Sequence, residues 1–122
     1  MARRIMKSQQ AHLNLIRALL RQYESQGYLV KADHIAHLNG RPPEIGGHIP
    51  DLAAYNNGTI ELIAEAETCD TIVGGDTREQ WMAFAASRYA FEVIVPQSCL
   101  VKAQRQASAW DVLVNKWWSI QR

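Results

Sequence analysis

Residues 49–67 read IPDLAAYNNGTIELIAEAE, and no other stretch of the chain limits its fold so narrowly. Two apolar runs flank Asn56-Asn57-Gly58, and turn residues between such runs signal a β-hairpin. Strands are therefore expected over 48–55 and 59–68. A three-residue loop suits a glycine at its last position, because a residue without a Cβ enters the left-handed region at no steric cost. That loop pairs Tyr55 with Thr59, and so Asp51 with Ile63 and Ile49 with Glu65; a two-residue turn would shift this register by one. Side chains alternate along strands, so Asp51 shares one face with Ile63, Glu65 and Glu67. Leu52, Ala54, Ile60, Leu62, Ala64 and Ala66 form the other face. Three carboxylates then meet at one end of a hairpin whose opposite face is apolar.

The remaining segments supply elements to pack against this hairpin. Over 8–26, Leu13, Ile16, Leu20 and Tyr23, with Leu15 and Leu19 beside them, recur at the spacing of an amphipathic helix, which Gly27 ends. A short strand over 28–33 follows, then a loop in which Asn39, Gly40, Pro42, Pro43, Gly46 and Gly47 prevent regular structure. Thr77-Arg78-Glu79-Gln80 fits a capping box opening a helix that carries Trp81, Phe84, Ala85 and Arg88. Residues 89–95 are β-branched and aromatic and read as a strand buried on both faces, closed by Pro96. Ser98 is expected to cap a helix with Leu100, Ala103, Ala107 and Trp110, and residues 111–118 suit either a strand or a helical tail. A hairpin followed by a β-α-β crossover implies an α/β fold: a mixed sheet of four to five strands flanked by helices, in the order αβββαβ.

A chain of 122 residues with 48% hydrophobic and 20% charged residues forms one domain spanning 1–122. At this size it buries about two-thirds of its unfolded surface, enough for a core without staples. Cys69 and Cys99 have no CxxC spacing and no clustered histidine partner, so they read as reduced thiols of a cytoplasmic protein. The longest apolar run, from Trp81 through Ala86, is far too short for a membrane span.

Thirteen basic and twelve acidic residues nearly cancel, yet they are unevenly placed. Five basic residues and no acid precede Glu24, eleven acids fall from Glu24 through Glu92 inclusive, and four basic residues face Asp111 alone beyond Glu92. Carboxylates hold cations and basic groups hold phosphates, so the layout suits a metal site acting on a polyanion. Solvated helix faces that happen to be basic give the same pattern. A hard divalent cation takes oxygen ligands and keeps positions for water and phosphate, which Asp51, Glu65 and Glu67 could serve. The competing expectation is that Glu65 and Glu67 lie on a solvent-facing strand surface.

Ile49-Pro50-Asp51, thirteen residues, then Glu65-Ala66-Glu67 at the end of an apolar strand resembles the PD-(D/E)XK nuclease superfamily, the restriction-endonuclease-like group. The order of elements over roughly residues 8 to 96 is similar as well. The resemblance implies that Asp51 and Glu65 bind Mg²⁺ or Mn²⁺ and that phosphodiester bonds in nucleic acid, here DNA, are hydrolysed by an endonuclease or exonuclease. Glu67 stands where the family usually has Lys. It would then act as a third metal ligand or a base, with Lys31 or Arg78 supplying the missing positive charge. Gln80 falls where some members place a site Gln, and Arg17 and Arg21 of the first helix are expected to contact the nucleic-acid backbone. A chain this small covers little duplex, which suits a homodimer with two sites. The alternative from another class is a catalytically inactive nucleic-acid or protein interaction module on the same fold. A third reading gathers His34, His37 and His48 with Asp33 as a Zn²⁺ site. Trp117 and Trp118 are expected to pack, one of them against the first helix, rather than stack on bases.

Overall fold

One stripe of the first helix, α1 (Met6–Ser25), buries Leu15, Ile16, Leu19, Leu20 and Tyr23, as an amphipathic period requires. The computed structural model describes residues 6–121, with side chains from Ser8 onward. Of the basic flanks, Arg3, Arg4, Arg122 and the Lys7 side chain lie outside the described residues. Gly27 takes φ +94°, the Tyr28 N–H donates to the Tyr23 carbonyl, and the Gly27 N–H donates to that of Glu24. This is the Schellman ending that a left-handed glycine permits.

Strands β1 (Leu29–Ala32), β2 (Leu52–Asn56) and β3 (Thr59–Ala66) come next, then α2 (Gly75–Ala85) and β4 (Ala90–Pro96). A 3-10 turn (Gln97–Cys99) leads into α3 (Leu100–Ala109) and β5 (Lys116–Ile120). The strands lie in the order β1-β2-β3-β4-β5. The pairs β1–β2 and β2–β3 are antiparallel, while β3–β4 and β4–β5 are parallel. Parallel neighbours need a crossover, which α2 and α3 provide. The fold is therefore the expected α/β class, a mixed five-stranded sheet with flanking helices that opens αβββαβ. The segment at 111–118, open between strand and helix, contributes β5.

Both faces of the sheet are covered. Leu52, Ala54, Leu62, Ala64, Ala66 and Ile94 pack beneath α1, whereas Ala53, Ile63, Phe91, Val93 and Val95 pack against Trp81 and Phe84 of α2 and Ala103 and Ala107 of α3. Tyr23 meets the Trp118 ring edge-on at 5.9 Å, and Trp117 lies 6.0 Å from Trp81. Both tryptophans thus pack, one against α1 as expected. Buried Glu92 on β4 accepts from the Tyr23 hydroxyl at 2.6 Å and from Trp118 Nε1 at 2.7 Å, linking α1, β4 and β5 through one carboxylate.

The hairpin turns more tightly than a three-residue loop allows. Asn56 pairs with Thr59 and Tyr55 with Ile60, leaving Asn57 and Gly58 as the turn at φ +53° and +79°, the two left-handed residues of a type I′ turn. A bulge follows, because Ala54 pairs with Leu62 and Glu61 is the extra residue. The bulge moves Ile60 to the α2 and α3 side, correcting its expected place with Leu62. It also changes the partner of Asp51, since Leu52 pairs with Ala64 and one step further lies Glu65 rather than Ile63.

Three other expectations are corrected. α2 begins at Gly75 with Gly74 as its N-cap and no side-chain cap. Thr77 therefore lies inside the first turn, and its hydroxyl donates to the Thr71 carbonyl at 2.7 Å. Ser98 caps nothing, because the 3-10 turn occupies that position. Cys69 and Cys99 are joined in a disulfide, not reduced thiols. They follow the neighbouring parallel strands β3 and β4, so residues 30 apart in sequence sit 5.8 Å apart at Cα. The thiol argument for a cytoplasmic location lapses with this bond. Among the described residues no helix is long and apolar enough to cross a membrane.

Candidate functional site

Asp51 lies where the chain enters β2, and its carbonyl accepts from the Asp33 N–H at 2.9 Å, which ties the segment after β1 to this end of the sheet. Directly across, the Asp51 N–H donates to Glu65 Oε2 at 2.8 Å, and the Ala66 N–H donates to Asp51 Oδ2 at 2.8 Å. The two acids are thus cross-linked through each other's strand. The Glu67 N–H donates to the Ile94 carbonyl, and Glu67 Oε1 accepts from the Thr71 hydroxyl at 2.6 Å. Asp51, Glu65 and Glu67 are only 5%, 3% and 3% exposed. The solvent-facing alternative fails because helices cover both faces of the sheet.

Histidines complete the surroundings of Asp51. His12, buried on α1, places Nε2 3.1 Å from Oδ2, while His34 Nε2 stands 3.2 Å from Oδ1 and 3.6 Å from Asp33 Oδ2. Beyond Glu67, the Ser8 hydroxyl lies 3.0 Å from that of Thr68 and donates to Asp70 at 2.9 Å. The first turn of α1 therefore borders the acidic end of the sheet.

The two central carboxyls are driven apart electrostatically. Burial, followed by the charges of Asp51 and Glu67, pushes Glu65 well above the usual carboxylate range, against the opposing effect of the Asp51 N–H. Burial acts in the same sense on Asp51. Hydrogen bonds from His12 and His34, the His12 charge and the Ala66 N–H outweigh it and hold Asp51 well below that range. An ionised Asp51 therefore sits beside a Glu65 that keeps its proton well above the usual range, the asymmetry that separates acid and base roles in paired carboxyls.

As donors, three buried carboxylates suit a hard divalent cation. Their oxygens accept from protein donors, Asp51 from His12, His34 and the Ala66 N–H, Glu65 from the Asp51 N–H and Glu67 from Thr71. Among the described residues no three His, Cys, Asp or Glu side chains already stand at metal-ligand geometry. The donor set fits Mg²⁺ or Mn²⁺ in kind, and holding one requires Asp51 and Glu65 to exchange hydrogen bonds for the cation.

The other expected site residues are spread more widely. Lys31 pairs with Ala53, and its ammonium lies 5.2 Å from the centre of the Tyr55 ring, toward the hairpin turn and away from Asp51. Arg78 is exposed on α2, and Gln80 is half-buried two residues further on. The groups that touch Asp51 are His12 and His34, not Lys31 or Arg78. Arg17 and Arg21 are exposed on α1 beyond His12. The histidine trio is dispersed: His37 lies 3.3 Å from Glu24 and His48 meets the Phe84 ring edge-on, leaving only His34 at the acids.

His12 is the residue that sequence reasoning missed. It extends the buried stripe of Ile16, Leu19 and Tyr23 by one turn. A lone polar residue on such a stripe points to a polar partner in the layer beneath. No family model, curated protein or solved structure matches the chain.

Proposed function

We propose that the chain is a metal-dependent nuclease-like protein that hydrolyses phosphodiester bonds in nucleic acid, DNA in the first instance. The observation that carries this reading is the cross-strand pair of buried acids, Asp51 and Glu65, with Glu67 two residues on, inside an αβββαβ mixed sheet. The arrangement is similar to the acidic centre of PD-(D/E)XK nucleases. Asp51 and Glu65 would hold Mg²⁺ or Mn²⁺, and Glu67, kept in place by Thr71, would add a ligand or serve as base. When bound, such a cation supplies Lewis-acid stabilisation of the phosphoryl group. Arg17 and Arg21 would meet the nucleic-acid backbone, and a homodimer would bring two sites to one duplex.

A second reading, an inactive nucleic-acid or protein interaction module on the same fold, is favoured by one observation. Both Asp51 oxygens already accept hydrogen bonds from side chains. Cleavage of single-stranded, duplex and junction substrates with Mg²⁺, Mn²⁺ or EDTA separates the two. Metal-dependent cleavage lost in Glu65→Ala supports the nuclease; cleavage that persists in that variant removes Glu65 from the site, and binding without cleavage favours the module.

A further inference from the structure

We infer that His34 is a displaceable cap on the cation seat, holding Asp51 Oδ1 until a divalent cation takes that oxygen. The inference rests on the metal-binding reading above and assigns the residue that controls access to it. Asp51 has three side-chain and backbone donors, and they differ in how readily they can leave. Ala66 N–H belongs to β3 and is fixed by the sheet. His12 is 4% exposed and sits between α1 and the strands, so withdrawing it opens the core. His34 follows β1 outside any regular element, and its side chain is 26% exposed.

The surroundings of His34 give it somewhere to go. Nε2 stands between two carboxylates, 3.2 Å from Asp51 Oδ1 and 3.6 Å from Asp33 Oδ2. A small rotation onto Asp33 frees Oδ1 and keeps the imidazole hydrogen-bonded. The backbone at His34 is left-handed, φ +69°, a conformation of modest cost for a non-glycine residue that persists where neighbouring contacts hold it. Oδ2 is committed to buried His12 and to the Ala66 N–H, whereas Oδ1 is held by the more exposed His34. A cation arriving from solvent therefore meets His34 first.

Removing the cap should tighten cation binding. The test is Mn²⁺ binding at a single pH, followed by electron paramagnetic resonance of free Mn²⁺ and by thermal shift, on wild type and His34→Gly, a substitution the left-handed backbone accepts. His34→Asn, also tolerant of that conformation and too short to bridge to Asp51, serves as a second variant. Each is expected to bind Mn²⁺ about ten-fold tighter, the scale of one lost competing hydrogen bond to a charged group. Adding Asp51→Asn to either variant should abolish the gain. Unchanged or weaker binding in both variants overturns the cap, as does a gain that survives Asp51→Asn. If neither wild type nor the variants bind Mn²⁺, the metal reading beneath the inference fails instead.

Discussion

Glu65→Gln should flatten the pH dependence of stability of the cation-free protein and raise its stability near neutrality. Glu65 is buried, with Asp51 and Glu67 as its electrostatic neighbours, and its folded-state pKa lies well above the ordinary 4.5. Between 4.5 and that raised value the unfolded chain has released a proton that the folded chain still binds. Stability is then lost as pH rises, at about 1.4 kcal/mol for each pH unit inside the window. Gln removes the titration but keeps a carbonyl to accept the Asp51 N–H, now 2.8 Å from Glu65 Oε2. Asp51 acts in the opposite sense, since its pKa is lowered from 3.8. The stability it contributes is present above 3.8 and fades as pH falls through its folded value, outside the Glu65 window. Urea denaturation of both proteins in EDTA, in half-unit steps upward from pH 5 at constant ionic strength, measures the difference. Inside the window the variant should gain on wild type by about 0.7 kcal/mol per step, half the unit slope, and above it the lead should stay constant. Parallel curves would refute the argument, because they would mean that Glu65 ionises as readily folded as unfolded.

Two further outcomes follow from the packing. Tyr23→Phe removes one of the two donors to buried Glu92 and should cost about 1.5–3 kcal/mol in urea denaturation, while Phe retains the edge contact with Trp118; a loss under about 0.5 kcal/mol would mean water replaces the hydroxyl. Cys69→Ser with Cys99→Ser opens a cross-link spanning 30 residues. The double variant should be about 3–4 kcal/mol less stable in the chain-entropy estimate. A reducing agent should lower wild type to the same level and leave the variant unchanged, and an equal midpoint for the oxidised protein and the variant would argue against the cross-link.

Local rules carried the fold a long way. The apolar stripe of α1, the glycine that ends it, the buried run of β4 and the paired strands around Asn57-Gly58 each depend on residues within a few positions of one another. That is the range over which helical period, alternation and turn chemistry act. Asp51, Glu65 and Glu67 were legible as a group for the same reason, since strand alternation alone places the two glutamates together. Their register was less secure. The tight turn moves the pairing by one residue and the extra Glu61 moves it again, so Asp51 reaches Glu65 through a bulge that no alternation rule reveals. The start of α2 was misplaced because Thr77 satisfies a carbonyl of the preceding loop instead of a helix amide.

By itself, then, the sequence determined the α/β class, the order of elements and the presence of three acids near one end of a hairpin, all consequences of short-range periodicity. The tertiary structure decided what surrounds those acids. His12 comes from 39 positions away to hold Asp51, His34 approaches from the loop after β1, and Cys69 meets Cys99 because neighbouring parallel strands end side by side. Burial between two helical layers pushes Glu65 up, while His12, His34 and the Ala66 N–H outweigh that same burial and hold Asp51 down. A carboxylate's charge depends on the dielectric and donors around it, and those are set by which distant segments pack together.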